Sequence, residues 1–168
     1  MLKQRIEDVL NEQVTKEAYS SALYLAMASW CEKKGFAGIA NWMYTQSDEE
    51  RIHMLKFIKY INERGGHAIV SEIKQPPVEQ GSVKEMFEAV LKHEEYITDS
   101  INQIVGITIE EKDFTTNNWI QWFVNEQIEE ESNVTHILDK LNMLGSENIY
   151  LFDRDIMSLR SEAASTGE

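Results

Sequence analysis

Glu50 and His53 stand three residues apart in Ser47-Asp48-Glu49-Glu50-Arg51-Ile52-His53, a spacing that projects both side chains from one face of a helix. A carboxylate and an imidazole so placed are suited to ligating a metal ion or exchanging a proton. The flanking residues Ile39, Trp42, Met43, Phe57, Tyr60 and Ile61 fall at steps of three and four from the same two positions, so the pair interrupts a stripe that belongs in a core. Burying a carboxylate alone is expensive. The interruption therefore calls for a cation, a hydrogen-bonded partner or a neutralised acid.

Three further apolar stripes are broken in the same way: one by Glu17, one by Glu94, and one by Gln127 with Glu130. Each interruption lies roughly 12 to 17 residues from the start of its own predicted helix, so all reach one level of a bundle whichever way each helix runs. Four carboxylates and one imidazole would repel one another there unless protons or metal ions compensate. Two divalent cations would balance four carboxylates. Oxygen ligands with a single nitrogen suit iron or manganese, and glutamates on facing helices with a Glu-x-x-His pair follow the di-iron bundle pattern. Tyr24, two turns after Glu17 on the same stripe, should approach the cluster or serve as an ordinary core tyrosine. Trp122 lies near the same level and reads as packing. Glu49, Glu126 and Glu129 are each one residue off a stripe and by themselves read as a solvated face. His93 and His136 read as surface or rim residues, and His67 falls in a loop.

Four long helices must carry these residues. The first runs from about Gln4 to Lys34, with Ile6, Leu10, Tyr24 and Ala28 on its stripe and Gly35 as terminator. The second spans about Gly38 to Arg64 and stops at Gly65-Gly66. From Gly65 to Gly81 the chain holds Pro76, Pro77 and three glycines and lacks a helical period. Fully extended, this connection reaches roughly 55 Å, enough to run the ~40 Å length of the second helix and return the chain to the end where that helix began. Ser82-Val83-Lys84-Glu85 reads as a capping box for a third helix to about Glu110. A fourth follows Lys112-Asp113 and ends at Gly145, and a short fifth runs from Ser146 to about Arg160. The fold class is thus all-α: an antiparallel four-helix bundle with one long crossover between helices 2 and 3 and a fifth C-terminal helix. Residues 1–160 form one domain, and the polar tail 161–168 is expected to be disordered.

Composition narrows the partners. With 168 residues and 42% apolar content the chain can build a proper core, and its net charge of −13 opposes non-specific binding to nucleic acid or an anionic membrane. Cations are favoured instead. The single Cys31 excludes an internal disulfide and multi-cysteine metal sites, and reads as a small buried apolar residue. No apolar run approaches the ~20 residues of a spanning helix and no signal-peptide core is present, so a cytoplasmic protein is expected.

With these residues in place the sequence resembles the ferritin family, in particular the haem-free bacterial ferritins, over about Met1 to Leu159. The resemblance rests on Leu10-Asn11-Glu12-Gln13, Glu17-x-Tyr19-Ser20-Ser21, Glu49-Glu50-x-x-His53, His93-Glu94, and Gln121-Trp122 followed by Glu126-Gln127-x-Glu129-Glu130-Glu131. It implies that Glu17, Glu50 and His53 hold one iron, that Glu50 bridges, that Glu94 and Glu130 hold a second, and that Gln127 lies beside the centre. It further implies a third iron site near an inner cage surface at Glu49, Glu126, Glu129 and Glu130, and a role for Tyr24 as donor of a further electron. Bacterioferritins resemble the layout too, but carry a second Glu-x-x-His where this chain has Gln127-x-x-Glu130. They also place a haem-ligating methionine where this chain has Arg51, so no haem is expected.

The resemblance implies an iron-storage protein that oxidises Fe(II) with dioxygen or hydrogen peroxide and keeps the ferric mineral inside a homo-oligomeric cage of 24 copies. Carboxylates favour this chemistry because they stabilise Fe(III) over Fe(II). Two alternatives use the same ligands. One is a passive iron-buffering cage without ferroxidase activity; the other is a di-iron oxygenase acting on an organic substrate, for which the sequence shows no pocket-forming insertion.

Overall fold

A computed structural model describes residues 2–145 and 148–165, with side chains through residue 159. Its five helices are α1 (Gln4–Lys34), α2 (Ala37–Glu63), α3 (Val83–Glu110), α4 (Phe114–Leu144) and α5 (Ile149–Ser165), and no strand occurs among the described residues. The start placed at Ser146 from sequence lies outside the described residues. At its other end α5 continues past Arg160 to Ser165, while residues 166–168 lie outside them.

The helix ends follow local chemistry. Gly35 closes α1 with φ of 86°, a left-handed conformation that a Cβ would strain. Ser82 and Glu85 form the expected capping box: the Glu85 amide donates to Ser82 Oγ at 3.2 Å and the Ser82 amide to Glu85 Oε2 at 2.8 Å. Asp113 caps α4 by accepting from the Thr116 amide at 3.1 Å. The N-terminus of α2 has no cap from its own flank, and α5 supplies one: the Ile39 amide donates to Asp153 Oδ1 at 2.9 Å. The helices meet there so closely that a Cβ on Gly38 would lie 1.7 Å from the Asp153 carbonyl oxygen.

The connection from α2 to α3 is pinned along the outside of α1. Near the start of α1, Glu7 Oε1 accepts from the His67 amide at 3.0 Å, and Asn11 both donates to the His67 carbonyl (3.1 Å) and accepts from the Ile69 amide (2.7 Å). At the far end Trp30 Nε1 donates to Glu79 at 3.1 Å. The chain therefore climbs the length of α1 before α3 begins, so α2 and α3 run in the same direction and α1 and α4 in the opposite one.

Two apolar clusters fill the bundle. One holds Ile6, Leu10, Val14 of α1, Phe57 and Ile61 of α2, Ile97, Ile101 and Ile104 of α3, and Ile120 and Phe123 of α4. The other holds Tyr24, Met27, Trp42, Met43, Phe87, Val90, Val134, Ile137 and, from α5, Phe152 and Ile156. Full burial of such side chains stabilises by about 1.5–3 kcal/mol each, so the clusters carry the fold. Cys31 belongs to the second, and burial pushes its thiol up to about 12, as its assignment to the core requires. Between the clusters lies a polar layer.

Candidate metal centre

Every helix of the bundle changes character at the same level. Glu17 follows Val14 on α1, Glu50 and His53 separate Met43 from Phe57 on α2, Glu94 separates Val90 from Ile97 on α3, and Gln127 with Glu130 separates Phe123 from Val134 on α4. All six side chains are buried, none more than 4% exposed. Matched depth on four stripes thus becomes one buried layer.

Glu17, Glu50 and His53 come closest together, their ligand atoms all lying within 4.8 Å of one another. His53 Nδ1 is 3.4 Å from Glu50 Oε2 and 3.9 Å from Glu17 Oε2. Donors bound to one ion at about 2.0–2.2 Å lie at most roughly 4.4 Å apart, so shifts of a few tenths of an ångström would close the set on a cation. Glu17 Oε1 accepts from Gln13 Nε2 at 2.7 Å, whereas Oε2 has no hydrogen-bond partner, alone in this among buried side-chain polar atoms of the described residues. An orphaned buried carboxylate oxygen facing an imidazole and a second carboxylate fits a cation.

Glu94 and Glu130 complete the layer with their own supports. Tyr24 donates its hydroxyl to Glu94 Oε1, and Gln127 Nε2 lies 3.2 Å from Glu94 Oε2 and 3.3 Å from the Glu94 carbonyl. Glu130 Oε2 accepts from Gln46 Nε2 at 2.9 Å. Ring edges wall one side: His53 packs against Trp122 and Phe123 with centroids 5.5 and 5.8 Å away.

The electrostatics require compensation. Burial, followed by the charge of Glu50, holds the Glu17 carboxyl well above the usual range, and burial with the charges of Glu94 and Glu130 does the same to Glu50. Burial also raises Glu94, against the opposing hydrogen bonds from Tyr24 and Gln127. Glu130 is pushed up to about 8 by burial and by the charges of Glu94 and Glu49. For His53 burial acts downward, but Glu126, Glu17 and Glu130 outweigh it and leave the imidazole above its ordinary value. Burial thus favours the protonated form of these acids in the absence of a cation, Glu130 most plainly, and a bound cation would displace the proton. Tyr24 is held in its phenol form by burial and by the charge of Glu94.

The second acidic group is only partly assembled. Glu126 Oε1 lies 3.7 Å from His53 Nε2, and Glu49 is close enough to raise Glu50 and Glu130. Glu129 is exposed. Trp122 is 40% exposed and its ring is covered by the Lys56 ammonium, 2.8 Å from the centroid. His93, read as a rim residue, is half-buried: it shares a 2.7 Å hydrogen bond with Ser20 Oγ and lies against Tyr19 and Tyr96, while burial lowers it to about 4.

Several supporting residues escape a search for ligand types. Gln46 precedes Glu50 by four positions and Ser100 follows Ile97 by three, so both sit on the core stripes, and their polarity was the available signal. Gln13, quoted from sequence within the run Leu10-Asn11-Glu12-Gln13, acquires its role from its contacts.

The comparisons with known proteins agree with this geometry. The ferritin-like domain family matches residues 7–144. A probable bacterial non-heme ferritin-like protein of Haemophilus influenzae is 44% identical over 97% of this chain and 100% of its own length. The bacterial non-heme ferritin of Campylobacter jejuni is 38% identical over 95% of this chain and 96% of its own. Among solved structures, an open pore ferritin from the archaeon Archaeoglobus fulgidus superposes with a TM-score of 0.90 at 36% identity, covering 92% of this chain and 96% of that one. A ferritin-like bundle whose four helices each deliver buried ligand-type residues to one layer, matched along nearly its whole length by bacterial non-heme ferritins, belongs to the ferritin family of iron-storage proteins.

Proposed function

We propose that this chain is a ferroxidase as well as a storage protein, taking up Fe(II) at the buried layer and passing Fe(III) into a cage built from copies of itself. The observation that carries the reading is the orphaned Oε2 of Glu17, facing His53 and Glu50 in a layer of four buried carboxylates. Glu17, Glu50 and His53 would hold one Fe(II), with Glu50 shared, and Glu94 and Glu130 a second. Both ions are substrate. Each gives up one electron, and together they reduce dioxygen with two protons to hydrogen peroxide; hydrogen peroxide can serve as the oxidant in turn. The carboxyl protons held by burial are released as Fe(II) binds. Tyr24, hydrogen-bonded to Glu94, stands where it could supply one further electron.

Glu49, Glu126 and Glu129, with Glu130, would form the onward site through which ferric iron leaves; Gln127 would belong to the metal-binding set beside the centre and orient Glu94. The cage would contain 24 copies and no haem, since Arg51 follows the bridging Glu50. Intact donors on all four helices favour this reading over a passive buffer. The cavities beside Trp30 and Leu141, beside Glu32 and Tyr44, and beside Lys16 and His93 are lined by none of the five candidate ligands.

The test is stopped-flow absorbance after mixing metal-free protein with about two Fe(II) per chain in aerated buffer. Fast oxidation that saturates at about two irons per chain is expected. Oxidation no faster than in protein-free buffer would overturn the ferroxidase reading, and a monomer or dimer by native light scattering would overturn the cage.

A further inference from the structure

Beyond the ligands, three polar residues connect Glu17 to the outer face of the bundle. Lys16 Nζ donates to Ser100 Oγ at 2.6 Å, Ser100 Oγ donates to Gln13 Oε1 at 2.6 Å, and Gln13 Nε2 donates to Glu17 Oε1 at 2.7 Å. The run crosses from α1 to α3 and back. Gln13 and Ser100 are buried, 0% and 3% exposed, while Lys16 is half-buried in the wall of a cavity of about 680 Å³ between α1, α3 and the crossover.

The polarity of this chain of bonds is dictated from its outer end. An ammonium can only donate, so Ser100 must accept from Lys16. The single hydroxyl hydrogen of Ser100 then goes to Gln13, which turns the amide oxygen of Gln13 toward Ser100 and its nitrogen toward Glu17. The donor from Gln13 occupies Glu17 Oε1. That bond takes one lone pair of Oε1 and leaves Oε2, the oxygen that faces His53 and Glu50, with no donor at all.

We propose that Lys16, Ser100 and Gln13 form a directed hydrogen-bond relay that selects which oxygen of Glu17 is presented to iron, so that Ser100 and Gln13 are positioning residues for the first iron site. The inference rests on Glu17 being an iron ligand. Without the Ser100 hydroxyl, the Gln13 amide has no donor to hold it and can turn its oxygen toward Glu17, where it repels the ionised carboxylate that iron requires. Glu17 then loses its fixed single-oxygen presentation and the site its preorganisation.

The experiment is anaerobic calorimetric titration of the metal-free assembled protein with Fe(II), alongside light scattering and thermal unfolding. Ser100→Ala is expected to weaken the tighter Fe(II) binding by about 10- to 100-fold, with assembly intact, and Ser100→Thr, which keeps the hydroxyl, to restore it. Lys16→Met is expected to weaken it by about 2- to 10-fold, the worth of one orienting hydrogen bond. Ser100→Ala combined with Gln13→Ala should bind no more weakly than Gln13→Ala alone, because both act through one amide. Unchanged affinity in Ser100→Ala, or losses that add in the double variant, would overturn the relay. If Ser100→Ala fails to assemble, unchanged affinity in Lys16→Met overturns it. Glu17→Ala separates the two levels: if it binds Fe(II) like the parent, the ligand assignment itself is wrong, whereas its loss beside an unaffected Ser100→Ala removes the relay alone.

Discussion

Oε2 of Glu17 and Nδ1 of His53 face each other across 3.9 Å inside the bundle, and no hydrogen-bond donor reaches the carboxylate oxygen. In the absence of a cation this is a liability: either the carboxyl keeps its proton, as burial and Glu50 favour, or its oxygen stays an orphaned buried acceptor at about 1–3 kcal/mol. Glu17→Gln keeps the shape of the side chain and removes its capacity to ionise and ligate. Metal-free Glu17→Gln should unfold at a temperature no lower than the parent, while Fe(II) binding falls at least about 100-fold, beyond the upper range for supporting residues. Differential scanning calorimetry paired with anaerobic Fe(II) titration reads both. A variant destabilised in step with its lost binding would show that Glu17 serves the fold.

The metal-free protein should lose stability as pH rises through neutrality. Glu130 titrates near 8 when folded, above the ordinary carboxylate value of 4.5, and Glu17, Glu50 and Glu94 are shifted in the same direction. A folded state that grips its protons more tightly than the unfolded chain is favoured while they remain bound, and that contribution fades between about pH 4.5 and 8. His53, also raised, adds in the same sense. Thermal unfolding at pH 6 should exceed that at pH 8.5 by at least about 3 °C, corresponding to ~1 kcal/mol. Divalent metal should reverse the order, since cations replace the protons more readily at high pH. A metal-free protein more stable at the higher pH would contradict the assignment.

Tyr24→Phe removes the hydroxyl that donates to Glu94 and leaves the ring in its cluster beside Trp42. Binding of the second Fe(II) should weaken by roughly 10- to 100-fold, the cost of a lost hydrogen bond to a charged group being about 1.5–3 kcal/mol. The first site should be unaffected. Stepwise calorimetric titration distinguishes the two, and equal weakening of both would mean that the ring, rather than the hydroxyl, organises the layer.

Gly38→Ala is expected to detach α5. The added Cβ would meet the backbone oxygen of Asp153 at 1.7 Å, a contact that cannot be relieved by rotating a side chain. Overpacking of this kind costs about 1–3 kcal/mol, and here it also breaks the cap that Asp153 places on Ile39. Limited proteolysis should cut between α4 and α5 faster than in the parent, with the bundle still helical by circular dichroism. Proteolysis at the parental rate would show that α2 and α5 can slide apart without loss.

Much of this architecture is legible in residue order because it follows from one period. The four stripes, the Ser82 capping box and the turn at Gly35 arise from contacts within a few residues, and the matched depth of the interruptions follows from counting along each stripe, whereas the path of the crossover is fixed by Glu7, Asn11 and Trp30 of α1. What sequence spacing does not carry is rotation about each helix axis. His93 neighbours a stripe residue and reads as a rim position, yet Ser20 of α1 draws it into a half-buried contact. Glu126 and Glu129 look equivalent on paper, but only Glu126 reaches His53. The Gln46 and Ser100 supports were hidden for a related reason: an amide or hydroxyl on a stripe announces burial, whereas its partner is set by the neighbouring helix.

The polar layer separates two apolar clusters, and its members come from positions near the beginning, middle and end of the chain. Two ions held there, with Glu50 shared between them, would act as a cross-link from Glu17 to Glu130, closing about two thirds of the chain into a loop and cutting the entropy of the unfolded state. If the ions are cargo and must leave, that staple would be made and broken with every turnover. The shape of the layer in between must be held by neutral amides and a phenol, and Gln13, Gln46, Gln127 and Tyr24 each already grip one of the three glutamates Glu17, Glu94 and Glu130. In polymer terms, this bundle has been tied so that its strongest knot can be undone without the rope going slack.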